Sequence, residues 1–135
     1  MTDRTPIKAP MIDDSTREFW DAARCGVLRI KRCAECHQHH YYPRPFCPKC
    51  WSTNVAWVDA AGTGTLYTYS VVHANDLPSF RDRVPYVVAI VDLDEGPRME
   101  TNLVDCPFDQ IKVGMRVTVT FEDEGEIVLP RFRPA

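Results

Sequence analysis

Cys33-Ala34-Glu35-Cys36 and Cys47-Pro48-Lys49-Cys50 are two CxxC knuckles with ten residues between them. A CxxC pair aims two sulfurs at one ion, and two pairs complete a tetrahedral all-sulfur shell. Zn²⁺ suits that shell because it brings no geometric preference of its own and binds thiolate at about 2.3 Å. A shell closed by Cys33, Cys36, Cys47 and Cys50 leaves no position for water or substrate, so the expected zinc is structural. Glycine commonly follows such a knuckle, because the turn favours φ > 0. Here His37 and Trp51 stand in those places, which keeps His37, His39 and His40 in view as alternative ligands. Iron in the same shell is the electron-transfer alternative, and it would colour the protein red.

The flanks of the knuckles fit a zinc ribbon. Val27-Leu28-Arg29-Ile30-Lys31 alternates and is predicted as a strand entering the first knuckle. Val55-Ala56-Trp57-Val58 is predicted as a strand leaving the second. Residues 37–46 form the tip, with turns fixed by Pro43 and Pro45. A unit this small cannot bury its own core and depends on metal ligation.

Upstream, Ser15-Thr16-Arg17-Glu18 has the pattern of a capping box, and Gly26 supplies a stop signal. The helix between them is too short to persist alone in water. Its apolar stripe of Phe19, Trp20 and Ala23 must pack on this chain or on another protein. Residues 1–12 are predicted to be a disordered tail.

Downstream, Gly62-Thr63-Gly64 breaks the chain, and five strands are predicted after it, over 65–73, 86–93, 98–104, 115–122 and 126–132. Residues 115–122 alternate with period two, a strand with one wet face. Residues 87–91 are continuously apolar, which predicts burial on both faces. Asp94-Glu95-Gly96-Pro97 reads as a hairpin turn. Residues 75–85 form a long loop, and 105–114 a connection with room for one helical turn. Five strands with a break after the third predict a Greek-key barrel of the OB type. The expected fold is therefore mainly β: tail and helix over 1–26, rubredoxin-like ribbon over 27–58, barrel over 59–135.

The composition is that of an ordinary globular chain, with 44% hydrophobic and 26% charged residues in 135. No apolar run approaches the roughly 18 residues of a membrane span, and no signal peptide is read in residues 1–12. The expected compartment is the cytoplasm, where thiols stay reduced. Cys25 and Cys106 are then read as buried free thiols. Charge is uneven. Residues 24–50 carry a net +5, and residues 59–135 a net −6. A basic ribbon on an acidic body can attract phosphates. Single-stranded nucleic acid is the alternative ligand for an OB barrel with a ribbon, but its backbone needs positive charge along the whole path. No G-x-S-x-G, HExxH or phosphate loop is present, and no catalytic residue is expected.

The order of motifs resembles a known family. Phe19-Trp20 is followed by Gly26-Val27-Leu28, by two knuckles around Tyr42-Pro43-Arg44, and by Gly62-Thr63-Gly64. Then come Pro85-Tyr86-Val87-Val88-Ala89-Ile90-Val91, Glu95-Gly96, Val113-Gly114 and Leu129-Pro130-Arg131-Phe132. This is similar to the rubredoxin-like zinc-ribbon plus OB-fold family long called domain of unknown function 35. The resemblance implies an accessory subunit that accompanies thiolase-like enzymes, including the sterol-carrier-protein-associated thiolases and aldolases of steroid and aromatic acid degradation. It implies that the partner carries the nucleophile in a carbon–carbon bond-forming or -cleaving reaction, and that this chain helps border an acyl-CoA site. It also implies a 2:2 heterotetramer. On that reading Phe19, Trp20, Tyr42 and Trp51 are candidates for docking, and Arg44, Lys49 and Arg32 for the phosphates of coenzyme A.

Overall fold

The computed structural model describes residues 5–135. The first four residues of the expected tail lie outside that range. Residues 5–12 have no regular secondary structure, yet Ala9 packs against the core and the Thr5 carbonyl accepts a hydrogen bond from Arg83.

Helix α1 spans Arg17–Arg24. Its cap differs from the sequence expectation. Thr16 is the N-cap residue and makes no side-chain cap bond. The carboxylate of Asp13 instead accepts from the Ser15 and Thr16 amides and from the Ser15 hydroxyl, at 3.0, 3.2 and 2.7 Å. The Ser15 bonds come first in holding this carboxyl below its ordinary range. The stop is as expected: Gly26 takes φ 77°, its N–H reaches the Ala23 carbonyl, and the Val27 N–H reaches Ala22. This is the paired-bond ending that glycine makes cheap.

Strands β1 (Arg29–Cys33), β2 (His39–His40) and β3 (Val55–Asp59) form a small antiparallel sheet in the order β2-β1-β3. Strands β4 (Thr63–Val72), β5 (Tyr86–Leu93), β6 (Arg98–Leu103), β7 (Arg116–Asp123) and β8 (Val128–Pro134) close a barrel in the order β4-β5-β6-β8-β7. The β6–β8 pairing is parallel and the rest are antiparallel. That is the OB arrangement. The long loop carries a short helix α2 (Pro78–Arg81), and the later connection a 3₁₀ turn at Phe108–Gln110. Among the described residues, no helix is long and apolar enough to cross a membrane.

Sheet and barrel share one core. Leu28 and Ile30 enter it from the ribbon side, and Leu66, Val91, Met99, Val117 and Phe132 from the barrel. Phe19 and Trp20 join them at 1% and 8% exposure. The apolar stripe of α1 is therefore spent inside this chain, and neither side chain has surface left for a partner. Each contributes about 1.5–3 kcal/mol by burial, as large apolar side chains do. Two other expectations are corrected. Val87, Ala89, Val91 and Leu93 are buried while Val88 and Ile90 are half-exposed, because a closed barrel has a single interior. Cys25 is exposed at the end of α1 and Cys106 is half-buried, so neither is a core thiol.

Gly62 and Gly64 are required by sterics. Gly62 has φ 78°, and a Cβ there would meet Val119 at 2.6 Å. A Cβ on Gly64 would meet the Asp92 carbonyl oxygen at 2.5 Å and Val91 at 2.7 Å. The barrel seam where β4 crosses β5 thus has no room for a methyl group. Gly64→Ala is expected to destabilise the chain by about 1–3 kcal/mol, the usual cost of overpacking, read as a lower denaturant midpoint; an unchanged midpoint would mean the seam is not closely packed.

Candidate functional site

The two knuckles are copies of one local structure. The His37 amide bonds the Cys33 carbonyl, and the Trp51 amide bonds the Cys47 carbonyl, at 3.0 and 2.9 Å. The Cys33 and Cys47 amides in turn reach the Gln38 and Ser52 carbonyls. His37 and Trp51 take φ 64° and 67°. They adopt the left-handed conformation that glycine adopts freely, and side chains accept it at a cost of about 1–2 kcal/mol each. The knuckle geometry is therefore kept without the glycines.

The turns bring all four sulfurs within 4.8 Å of one another. Cys33 and Cys50 are 3.6 Å apart, as are Cys36 and Cys47. Sulfurs on a tetrahedron of about 2.3 Å metal–sulfur bonds would stand about 3.8 Å apart, so the cluster fits zinc. The Glu35 and Cys36 amides point at the Cys33 sulfur, and the Lys49 amide at that of Cys47. These donors, Cys36 foremost, bring the Cys33 thiol down to about 7. Preformed N–H···S bonds favour the thiolate that a metal needs. Among the described residues no histidine joins the cluster. His40 lies on β2 beside Lys31, buried, and its lowered pKa arises first from desolvation.

Beyond the metal site, the tip carries two aromatic features. Phe46 and Trp51 stack at 5.3 Å with their planes 17° apart, and Trp51 is 72% exposed. Tyr42 is edge-on to both Phe19 and Tyr41, at 5.9 and 5.8 Å. This ties the tip to α1 while leaving part of the Tyr42 ring at the surface.

The tip also walls a cleft of about 850 Å³ whose other wall is the β5–β6 turn. Arg44, Lys49 and Tyr42 face it from the ribbon, and Asp92, Glu95 and Arg98 from the barrel. Arg32 does not line it; it projects from β1 between the registers of His39 and Ala56. Of the three phosphate candidates, Arg44 and Lys49 are thus brought together and Arg32 is separated from them. Sequence reasoning weighed His40 only as a metal ligand and missed the barrel wall. The Asp94-Glu95-Gly96-Pro97 turn was legible as a turn, but its approach to the ribbon is a long-range fact with no local signal.

Residues 20–56 match "ChsH2, rubredoxin-like zinc ribbon domain", and residues 57–122 match "ChsH2, C-terminal OB-fold domain". A solved chain described as "Ltp2-ChsH2(DUF35) aldolase" is 42% identical, with a TM-score of 0.82 over 93% of this chain and 98% of that one. The chain belongs to the DUF35 family. A probable enoyl-CoA hydratase alpha subunit of Thermomonospora curvata is 43% identical over 93% of this chain and 39% of its own length. The 3-oxo-4,17-pregnadiene-20-carboxyl-CoA hydratase alpha subunit of Mycobacterium tuberculosis is 32% identical over 98% of this chain and 42% of its own. This DUF35 chain therefore spans about two fifths of the length of those hydratase subunits. The resemblance carried by the motifs of the sequence is confirmed at the level of family and fold.

Metal content gives a direct test. The purified chain is expected to carry one zinc, and cobalt substitution should give the intense visible bands of a tetrahedral tetrathiolate. Cys47→Ala should lose both the metal and the ribbon's resistance to proteolysis. Full metal loading of that variant would contradict the four-sulfur shell.

Proposed function

We propose that this chain is a non-catalytic, zinc-stabilised accessory subunit that docks on a thiolase-fold enzyme and helps border its acyl-CoA site. The observation that carries the reading is its near full-length similarity to a chain of the Ltp2-ChsH2(DUF35) aldolase. The partner holds the nucleophile and performs carbon–carbon bond formation or cleavage. The names of the hydratase relatives favour acyl-CoA substrates, and one of them a steroid side chain. By analogy with dimeric thiolase folds the assembly is a 2:2 heterotetramer, formed in the cytoplasm.

The face offered to the partner is the metal-held tip. With Phe19 and Trp20 inside the core, docking falls to Trp51 on its Phe46 base and to the outer edge of Tyr42. Trp and Tyr are enriched among the anchor residues of protein interfaces. Arg44 and Lys49 lie in the adjacent cleft, where a planar guanidinium fork and a flexible ammonium suit the phosphates of coenzyme A.

Co-expression with the thiolase-fold protein of the same host tests this. The two are expected to copurify in equal amounts. Trp51→Ala should weaken the complex by at least about 2 kcal/mol, the threshold of an interface hot spot, while leaving zinc content and melting temperature in place. Undiminished association of that variant would remove the tip from the interface, and failure of every thiolase-fold candidate to copurify would reject the accessory role.

A further inference from the structure

A second cavity, of about 270 Å³, lies at the opposite end of the β5–β6 hairpin from the cleft. Its floor is where Val87 pairs with Leu103. The Asp92–Arg98 pair that borders the cleft is about 17 Å further along β5, at 3.4 Å per residue. Phe80 of α2 and Phe108 of the 3₁₀ turn wall the cavity, and Ile7 of the N-terminal segment adds to its lining. Arg83 holds these elements together. Its guanidinium pairs with Glu124 through both terminal nitrogens, at 3.2 and 3.0 Å, and also donates to the Ser79 and Thr5 carbonyls. The walls are therefore set before any ligand arrives, which lowers the ordering cost of binding.

One polar group here is only half committed. The Arg131 side chain is 14% exposed, and its Nε donates to Glu122 at 3.0 Å. Its two terminal nitrogens donate to nothing among the described residues, and neither is sealed from solvent. Arg131 lines both the cavity and an adjoining groove of about 430 Å³, so open space lies in front of these nitrogens. Guanidinium donors facing an apolar hollow call for an acceptor. The charges nearby decide its kind. Arg83 and Arg131 are already paired with carboxylates. The charged lining residues left over are Asp105 in the cavity and Glu100 in the groove, which form no ion pair among the described residues. An incoming anion meets net negative charge, whereas a neutral carbonyl does not.

We propose that this cavity binds a small neutral molecule made of an apolar ring and a carbonyl group. The ring packs between Phe80 and Phe108 over Val87 and Leu103, and the carbonyl oxygen accepts from the free end of the Arg131 guanidinium. Small-molecule sites are mostly apolar hollows with a few fixed polar groups, and this volume is close to the lower end of the roughly 300–1,000 Å³ they span. The site goes beyond the accessory-subunit reading and does not rest on it, because no residue lining the cleft takes part.

Titration of the zinc-loaded chain with acetophenone, ethylbenzene and benzoate, followed by amide proton–nitrogen NMR, tests the proposal. The three probes share one ring and carry a carbonyl, no acceptor and a carboxylate respectively. Acetophenone is expected to shift the amides of Val87, Leu103 and Phe108. It should bind at least as tightly as ethylbenzene, which a purely apolar hollow would prefer because a carbonyl costs more to desolvate. Benzoate should bind more weakly than acetophenone. Arg131→Met should weaken acetophenone about tenfold, the worth of one hydrogen bond to a charged group, and should not weaken ethylbenzene. Phe108→Ala should weaken both. The Phe108 side chain lies on an exposed turn, so that variant serves even where a change at Arg131 disturbs β8. Tighter binding of ethylbenzene or benzoate than of acetophenone overturns the proposal. So does acetophenone binding that is indifferent to Arg131→Met in a folded variant or to Phe108→Ala. Shifts confined to other parts of the chain, or no shifts with any probe, overturn it as well.

Discussion

Four thiol side chains packed within 4.8 Å are the constraint on which the rest of the molecule depends. Without a cation, four thiolates at that distance repel one another, and four thiols have few partners. With a divalent ion they become the strongest cross-link in the ribbon. Regular secondary structure contributes little there. Strand β2 has two residues, and the second knuckle pairs with no strand at all. The metal holds in place a tip that secondary structure alone would leave loose.

That local constraint is transmitted because ribbon and barrel are not separate bodies. β1 leads from the first knuckle back to Leu28 and Ile30 in the common core, and α1 covers the junction with Phe19 and Trp20. Tyr41 and Tyr42 carry the contact onward from Phe19 to the tip. The Ala60 amide bonds the Leu28 carbonyl, so the exit of the ribbon is fixed to its entry. Trp51 and the cleft are therefore presented at a set position relative to the barrel. A docking surface works better that way, since less ordering entropy remains to be lost on association.

The sequence was informative wherever the determining interaction was local. The knuckles, the Gly26 stop and the Asp94–Pro97 turn are each set by a few adjacent residues, and each formed as read. The barrel was legible from strand periodicity and turn spacing. Gly62-Thr63-Gly64 was visible as a break, though its reason, the contact of β4 with Val119 and Asp92, is long-range. Misreadings came where two local solutions compete or where a distant element decides. Ser15 and Asp13 can both cap α1, and the carboxylate took the site. An amphipathic stripe does not name its partner, so Phe19 and Trp20 fitted a foreign surface as well as their own core. His40 could be weighed as a metal ligand from its proximity to the knuckles. Its actual place, opposite Glu95 across a cleft, depends on how the ribbon folds against the β5–β6 turn.

The division of labour that emerges is between a metal that fixes shape and a surface that uses it. The four-sulfur shell leaves a metal no open position for chemistry, the barrel supplies the mass on which the ribbon rests, and the tip and cleft are the surfaces proposed to be used. Hydrogen–deuterium exchange before and after metal removal tests this account most directly. The account predicts that the Cys33, His37, Cys47 and Trp51 amides lose protection when zinc is stripped, while the amides of β5 and β6 keep theirs. Unchanged protection in the ribbon would contradict it, because the tip would then owe its shape to something other than the metal.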